Sequence, residues 1–170
     1  TNDTGDSNFT ITGKLNVTSP VKNDTWKAGT GYDINWTRKC SIAAVDIWYS
    51  PSNGSAGSWT KIAPNIAGIN QGWRWNIDPD ENTTTQARIN ITDTADPDNT
   101  FGLSNGTFFI KGNLTLTYPT AQNINLTYNG SSECNITWSK EGTIGAVELR
   151  YSNDSAGVYP TSHTIGNVTD

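Results

Sequence analysis

The chain of 170 residues repeats itself at a spacing of about 100 residues. Residues 134–154 align with residues 32–52 without a gap, and the alignment places Trp138 over Trp36. A segment of about 100 residues has the size of one β-sandwich domain. The sequence therefore predicts two homologous modules rather than one large domain.

The repeat also indicates where each module begins. Residues 112–119 resemble residues 13–20, since each stretch opens with Gly, alternates apolar with polar residues and ends with Pro. We therefore assign residues 14–112 to module one and residues 113–170 to module two. Residues 1–13 are predicted to be a terminal strand that belongs to a preceding or neighbouring module.

Module one shows the pattern of short strands that alternate apolar and polar residues, separated by turns rich in Pro, Gly, Asn and Asp. The predicted strands lie near 14–19, 30–37, 43–50, 58–63, 71–77, 86–92 and 106–111. The predicted inward-facing residues are Leu15, Val17, Ile34, Trp36, Val45, Ile47, Tyr49, Trp73, Trp75, Ile77, Ile89, Ile91, Phe108 and Ile110. No segment has a helical period, so the predicted fold class is all-β, with two tandem β-sandwiches.

The two ends of the chain resemble consecutive strands of module one. Residues 8–13 resemble the last strand, at 106–112, and Asn167-Val-Thr-Asp170 resembles Asn90-Ile-Thr-Asp93 in the strand before it. We expect module two to lack its last strand, which residues 1–13 of a neighbour would supply through Phe9 and Ile11. Two alternatives remain, namely one period of a longer covalent array and a chain cut at an arbitrary point.

Fifteen of the 20 asparagines open an N-x-S/T triplet, the acceptor for N-linked sugar. They are Asn2, Asn8, Asn16, Asn23, Asn35, Asn53, Asn82, Asn90, Asn105, Asn113, Asn125, Asn129, Asn135, Asn153 and Asn167. In eight of them the middle residue is large and apolar, so in a strand Asn and Thr would share one face while that residue points into the core. Asn is otherwise depleted in strands. The pattern predicts a glycosylated extracellular protein, although Asn and Thr could also simply fill a polar sheet face.

Charge and apolar content exclude several partners. The net charge is −5, without a basic cluster, which argues against binding to nucleic acid or an anionic membrane. No stretch approaches the 18 apolar residues of a membrane span, so we expect no membrane insertion in this segment. The chain has one histidine, His163, and no Cys/His cluster that could hold zinc. No catalytic residue is predicted, and we expect the protein not to be an enzyme.

Two further features allow chemistry other than catalysis. Asp93, Asp96 and Asp98 lie close together in a turn-rich stretch and could supply oxygen ligands to calcium, although plain turns use the same residues. Otherwise no cofactor is expected. Cys40 and Cys134 do not align with each other, since Cys40 lies over Gly142. A bridge between them, within or between chains, and free or differently paired thiols both remain open.

The strands at 43–50 and 145–151 contain no N-x-S/T triplet. If sugar covers the other outer faces, protein contacts would form most easily on these two strands. The candidate contact residues are Asp46, Trp48, Glu148 and Arg150. Trp36, Trp73, Trp75 and Trp138 are predicted to lie in the core, but Trp48 alternates with Ile47 and Tyr49 and so faces outward.

Module one resembles a known domain. Residues 19–110 contain, in this order, the motifs S-P, W-x-A-G-x-x-Y-x-I-x-W, V-x-I-x-Y, S-W-x-x-I-A, W-x-W-x-I, A-R-I-x-I-T-D and F-F-I. This order is similar to that of the Ig-like domain repeated in bacterial and archaeal cell-envelope proteins. That domain is related to the secreted N-terminal domain of fungal cell-wall glucan-assembly proteins of the Ser/Thr-rich GPI-anchored family. The resemblance implies tandem Ig-like or fibronectin-III-like sandwiches outside the cell, without catalytic residues.

These observations predict a structural protein of the cell surface that carries N-glycans and assembles with copies of itself, end to end, into a filament, sheath or surface layer. The alternative is a carbohydrate-binding or adhesive module, or a spacer, of a larger secreted protein.

Overall fold

The computed structural model describes residues 11–120, 135–152 and 163–169. These residues form thirteen β-strands, and no α-helix occurs among them. Module one contains β1 (Lys14–Ser19), β2 (Thr25–Lys27), β3 (Gly31–Lys39), β4 (Ala44–Ser50), β5 (Thr60–Ala67), β6 (Gly72–Asn76), β7 (Thr84–Asp93), β8 (Phe101–Leu103) and β9 (Phe108–Lys111). Module two contains β10 (Asn113–Tyr118), β11 (Thr137–Glu141), β12 (Ala146–Arg150) and β13 (Thr164–Thr169).

Module one is a sandwich of two sheets. The first sheet has the order β1-β3-β6, and the second has the order β2-β9-β7-β4-β5, with β8 also paired to β7. All pairs are antiparallel except β2 with β9. Three strands facing a larger sheet in this order form an Ig-like, fibronectin-III-like β-sandwich. The prediction of an all-β sandwich fold is confirmed.

The core of module one follows from the alternation of side chains along its strands. All the predicted inward residues are buried except Trp73, which is half-buried and packs against the others. The sequence analysis missed Trp26, which is 5% exposed. Its ring stacks on Tyr32 with 4.8 Å between ring centroids and also contacts Phe108 at 4.8 Å. Trp26 closes the sandwich where β2 meets β9.

Seven strands of module one were predicted, and β2 and β8 were not. Strand β8 lies between two predicted strands, in a stretch whose Asp, Asn and Gly residues are typical of a turn. Gly102, at the centre of β8, is buried, and a Cβ on it would lie 2.8 Å from the carbonyl oxygen of Leu15. Glycine is therefore required there because β8 passes directly against β1, a close approach that sequence alone does not reveal.

The described strands of module two reproduce pairings of module one. Leu116 pairs with Trp138 in β10–β11 as Val17 pairs with Trp36 in β1–β3, and a register shift follows each pair. Strand β13 pairs antiparallel with β12 as β7 pairs with β4. Val45 pairs with Asp93 in module one, so the alignment predicts that Val147 pairs with residue 170. It pairs with Val168 instead, a register shift of two residues. A slip of two keeps every side chain on its original face.

The buried hydroxyl of Tyr49 leads to a stability prediction. The ring packs on Trp75 at 4.8 Å between centroids, but the hydroxyl has no hydrogen-bond partner within the described part of the chain. Burial raises the pKa of Tyr49, with a smaller contribution from Glu81. Because an unpaired buried hydroxyl is unfavourable, we expect Tyr49→Phe to stabilise module one by about 1 kcal/mol. Urea unfolding would measure this, and a clear loss of stability would contradict it.

Candidate assembly interface and glycosylation sites

Apolar side chains of module two are exposed at positions that are buried in module one. Leu114 and Leu116 of β10 are 47% and 51% exposed, whereas Leu15 and Val17 at the equivalent positions of β1 are each 4% exposed. Val168 of β13 is 41% exposed. In the described residues, module two consists of two separate two-stranded sheets. Within the described residues, the positions that are buried in module one are therefore exposed in module two.

A groove separates the two sheets of module two. It is lined by Trp138, Ile144, Val147 and Val168, among other residues. In module one, the equivalent of β13 is β7, and the edge of β7 away from β4 is covered by β8 and β9. Among the described strands, β13 pairs with β12 alone. The edge of β13 that has no partner among the described strands corresponds to the edge of β7 that β8 and β9 cover in module one.

Strand β9 shows what fills this position in module one. Phe108 and Ile110 of β9 are 0% and 1% exposed and belong to the core. When Gly13 is aligned with Gly112, Phe9 lies over Phe108 and Ile11 over Ile110. Ile11 is 76% exposed and contributes nothing to the core of module one. Phe9, the other predicted interface residue here, lies outside the described residues.

The two modules meet at a contact that we call the joint. It is formed by residues 27–29, 79–83 and 112 of module one and by residues 113 and 141–144 of module two. The Gly142 N–H donates to the Pro79 carbonyl at 2.5 Å, and the Thr143 hydroxyl donates to Asn82 Oδ1 at 2.9 Å. A Cβ on Gly142 would lie 3.0 Å from the Cα of Gly112. It would also lie 3.2 Å from the Cβ of Ala28 in module one, so a side chain at Gly142 would require the neighbouring atoms to shift.

A second set of contacts at the joint involves charge. The Asn113 amide donates to Glu141 Oε2 at 3.2 Å, and its oxygen accepts from Lys27 Nζ at 3.4 Å. A Cβ on Gly29 would lie 2.5 Å from the Glu141 carboxyl carbon, so glycine makes room for that carboxylate. Asn113 therefore links β2 of module one to β11 of module two.

Ten of the fifteen predicted glycosylation asparagines lie in the described residues, and eight of these are exposed. The exposed ones are Asn16, Asn23, Asn35, Asn53, Asn82, Asn105, Asn135 and Asn167. Asn35 lies on the central strand of its sheet, where a Cβ on the neighbouring Gly72 would come within 2.6 Å of its Oδ1. Glycine at position 72 thus leaves space for the Asn35 side chain. Asn2, Asn8, Asn125, Asn129 and Asn153 lie outside the described residues.

Asn90 and Asn113 are only partly exposed. Asn90 lies on β7 between β4 and β8, and its Oδ1 is buried without a partner in the described residues. The Thr92 of the same triplet is 8% exposed, and its hydroxyl accepts a hydrogen bond from the Trp48 indole at 3.2 Å. This triplet is the least accessible of those described.

The predicted contact residues on β4 have partners within module one. Asp46 accepts from Lys61 Nζ at 2.5 Å and from the Asn65 N–H at 2.8 Å. Burial acts to raise the pKa of Asp46, but the hydrogen bonds from Lys61 and Asn65 and the Lys61 charge outweigh it and lower the pKa. Lys61 Nζ also lies 4.7 Å from the centre of the Trp48 ring, which is half-buried. The lysine covers a ring face that a sugar would need for stacking.

The equivalent residues on β12 form an exposed polar cluster. Glu148 accepts from Arg150 at 2.5 Å and from the Thr164 hydroxyl at 2.9 Å. The hydrogen bond from Arg150 is the main cause that lowers the pKa of Glu148 and raises that of Arg150. Within the described residues, the cluster bridges β12 and β13 and therefore fixes their pairing. No contact joins it to Asp46 or Trp48 there.

The predicted calcium ligands do not converge in the structure. Asp93 accepts from the Ala95 N–H at 3.0 Å, and Asp96 accepts from Asn99 at 2.8 Å, which are bonds that stabilise a turn. No group of three or more His, Cys, Asp or Glu suited to a metal ion occurs among the residues described. The geometry lends calcium binding no support, and it stays a prediction.

Cys40 is exposed and carries a free thiol, and Cys134 lies outside the described residues, so their pairing stays a prediction. His163 stacks on Tyr151 with 4.6 Å between ring centroids, a packing role for the one histidine. The expectation that the chain is not an enzyme likewise stays a prediction.

No protein-family model and no curated protein matches this chain. Among solved structures, the fibronectin(III)-like modules of Clostridium thermocellum CbhA align with 92% of this chain and 74% of theirs, at 16% identity and a TM-score of 0.34. This likeness is weak, and the fold of module one is defined by its own strand order. None of the described segments is a helix of the length and apolarity that a membrane span requires.

Proposed function

We propose that this protein is a structural, N-glycosylated component of the cell surface that assembles end to end with copies of itself. The observation that carries the proposal is the exposed inner surface of module two, where Leu114, Leu116 and Val168 are between 41% and 51% exposed. Monomeric soluble proteins rarely leave a contiguous apolar surface of this kind uncovered. A partner that covers it would complete the sandwich.

The occupant we propose is the segment 8–13 of a second copy. This segment has the residue pattern of β9, and its Ile11 is exposed in its own chain. Added beside β13, it would form main-chain hydrogen bonds with the open strand edge, while Phe9 and Ile11 would enter the groove beside Trp138. Each copy would donate a strand at one end and accept one at the other. Such a head-to-tail contact produces an open polymer.

Glycosylation and an extracellular location belong to the same proposal. The exposure of eight acceptor asparagines supports it, and so does the resemblance of module one to domains of bacterial and archaeal envelope proteins. Sugars on Asn16 and Asn35 would cover the outer face of the first sheet of module one. Lateral contacts on this face would then be excluded.

Light scattering and electron microscopy of the full chain would test the assembly. We expect particles that lengthen with concentration and show a repeat of two modules. A strictly monomeric chain at all concentrations, especially one that binds a glycan array, would contradict the proposal and favour the adhesive alternative. The ammonium of Lys61 over the Trp48 ring argues against a sugar site at that position.

The structure also predicts which asparagines carry sugar. Asn16 and Asn35 are exposed, whereas Asn90 is only partly exposed and its side-chain Oδ1 is buried. A glycan on Asn90 would require the packed side chains around it to move, so we expect high occupancy at Asn16 and Asn35 and none at Asn90. Glycopeptide mass spectrometry of protein from its natural source would measure this. Full occupancy at Asn90 would show that the packing around β7 is different.

A further inference from the structure

The loop that module two places in the joint has a counterpart in module one. The repeat aligns Cys40, Ser41 and Ile42 with Gly142, Thr143 and Ile144. Residues 40–42 connect β3 to β4, and residues 142–144 connect β11 to β12. The backbone is also alike, since Cys40 and Gly142 both have a left-handed conformation, with φ of 69° and 78°.

The chain enters both modules along the same path. A Cβ on Gly13 would lie 3.0 Å from Ile42 Cδ1, and a Cβ on Gly112 would lie 2.7 Å from Ile144 Cδ1. In each module, the glycine before the first strand therefore passes directly over the isoleucine of this loop. For module two, the residues just before that glycine form β9, the last strand of the preceding module.

The two loops differ in what they contact. Residues 142–144 dock on the end of module one through Pro79, Asn82 and Thr83. Cys40 and Ser41 are exposed, and within the described residues they have no module of this kind to dock on. The Ser41 hydroxyl is chemically equivalent to the Thr143 hydroxyl that donates to Asn82. The surface of residues 40–42 thus has the shape and chemistry of one half of a joint.

We propose that residues 40–42 form a second joint, with module two of the copy whose sandwich is completed by residues 8–13. This inference rests on the proposed end-to-end assembly and specifies its geometry. Because residues 8–13 lead into β1 as β9 leads into β10, the contact between copies would bring residues 40–42 to the end of module two, as the contact within the chain brings residues 142–144 to the end of module one. One difference is built in, because Cys40 has a side chain where Gly142 has none, and its Sγ lies 3.9 Å from the Thr12 carbonyl. The joint between copies is therefore wider at this point.

Photo-crosslinking of the full chain tests the inference, with p-benzoylphenylalanine introduced at one position at a time. From position 41 we expect crosslinks to module two of another copy. From position 143 we expect crosslinks within one chain, to residues 79–83. A probe at Arg74, which is exposed on β6 in the outer face of the first sheet, serves as the control and should give no crosslink between copies.

The outcomes separate the inference from the proposed function. Crosslinks between copies from position 41, or loss of assembly of that variant while the Arg74 variant still assembles, would support the second joint. Polymers that form normally but give no crosslink between copies from position 41 would overturn it and leave end-to-end assembly standing. An unmodified chain that never assembles would overturn the proposed function itself. Absence of the crosslink from position 143 to residues 79–83 would show that the joint within the chain does not form, and the second joint is inferred from it.

Discussion

The double variant Phe9→Asp, Ile11→Asp is expected to remain monomeric at concentrations where the unmodified chain has assembled. The two side chains align with Phe108 and Ile110, which are at most 1% exposed in module one. Burial of one such side chain contributes about 2 to 3 kcal/mol. Loss of two, together with the cost of placing carboxylates in an apolar groove, should raise the concentration needed for assembly by roughly a thousandfold or more. Sedimentation velocity over a dilution series would measure it.

The matched control is Thr10→Asp, which adds one of the same charges to the same segment. Side chains alternate along a strand, so Thr10 points away from the groove when Phe9 and Ile11 point into it. We expect this variant to assemble within about tenfold of the unmodified concentration. Equal loss of assembly in both variants would indicate that charge, rather than strand completion, is responsible. Normal assembly of the double variant would refute strand completion by this segment.

The sequence predicts the fold of module one well because its buried strands follow a strict period of two. It fails where tertiary contact decides the structure. Strand β8 depends on the contact between Gly102 and Leu15, and Trp26 is buried by a parallel pairing of β2 with β9 that has no local signal. Strand β5 continues through Pro64 because it is an edge strand, where a missing donor is tolerated. Such contacts between distant residues are not encoded in a short pattern.

The candidate sites divide in a similar way. The repeat aligns Cys40 with Gly142 in sequence. Only the structure shows that Gly142 is in close contact with Gly112 at the joint. All the triplets fit the same acceptor pattern, and only the structure shows that the side-chain oxygen of Asn90 is buried while Asn35 is exposed. Asp46 and Trp48 are predicted contact residues, but Lys61 already donates a hydrogen bond to Asp46 and lies over the Trp48 ring. A pattern indicates which face a side chain has but not which neighbour already covers it.

The two equivalent tryptophans give the second large expected effect. Trp36 is 1% exposed in the complete sandwich of module one, and Trp138 is half-buried beside the open groove of module two. Trp36→Ala should destabilise module one by about 3 to 5 kcal/mol, the usual result of removing a large aromatic ring from a core. In the unassembled chain, Trp138→Ala should cost module two only about 1 kcal/mol, since its ring is only partly withdrawn from water. Hydrogen exchange resolved by module would measure both values.

Assembly should make the two tryptophans alike. If Phe9 and Ile11 of a second copy close the groove, Trp138 becomes a core residue in the same position as Trp36, and its replacement should then weaken assembly by about tenfold or more. The fluorescence emission of Trp138 should also shift to shorter wavelength on assembly. Trp138 is the one tryptophan of module two. Its emission can therefore be obtained by subtracting the spectrum of the Trp138→Phe variant from that of the unmodified chain. Emission that does not change while polymers form would mean that the groove stays open. The copies would then be joined by a contact other than strand completion.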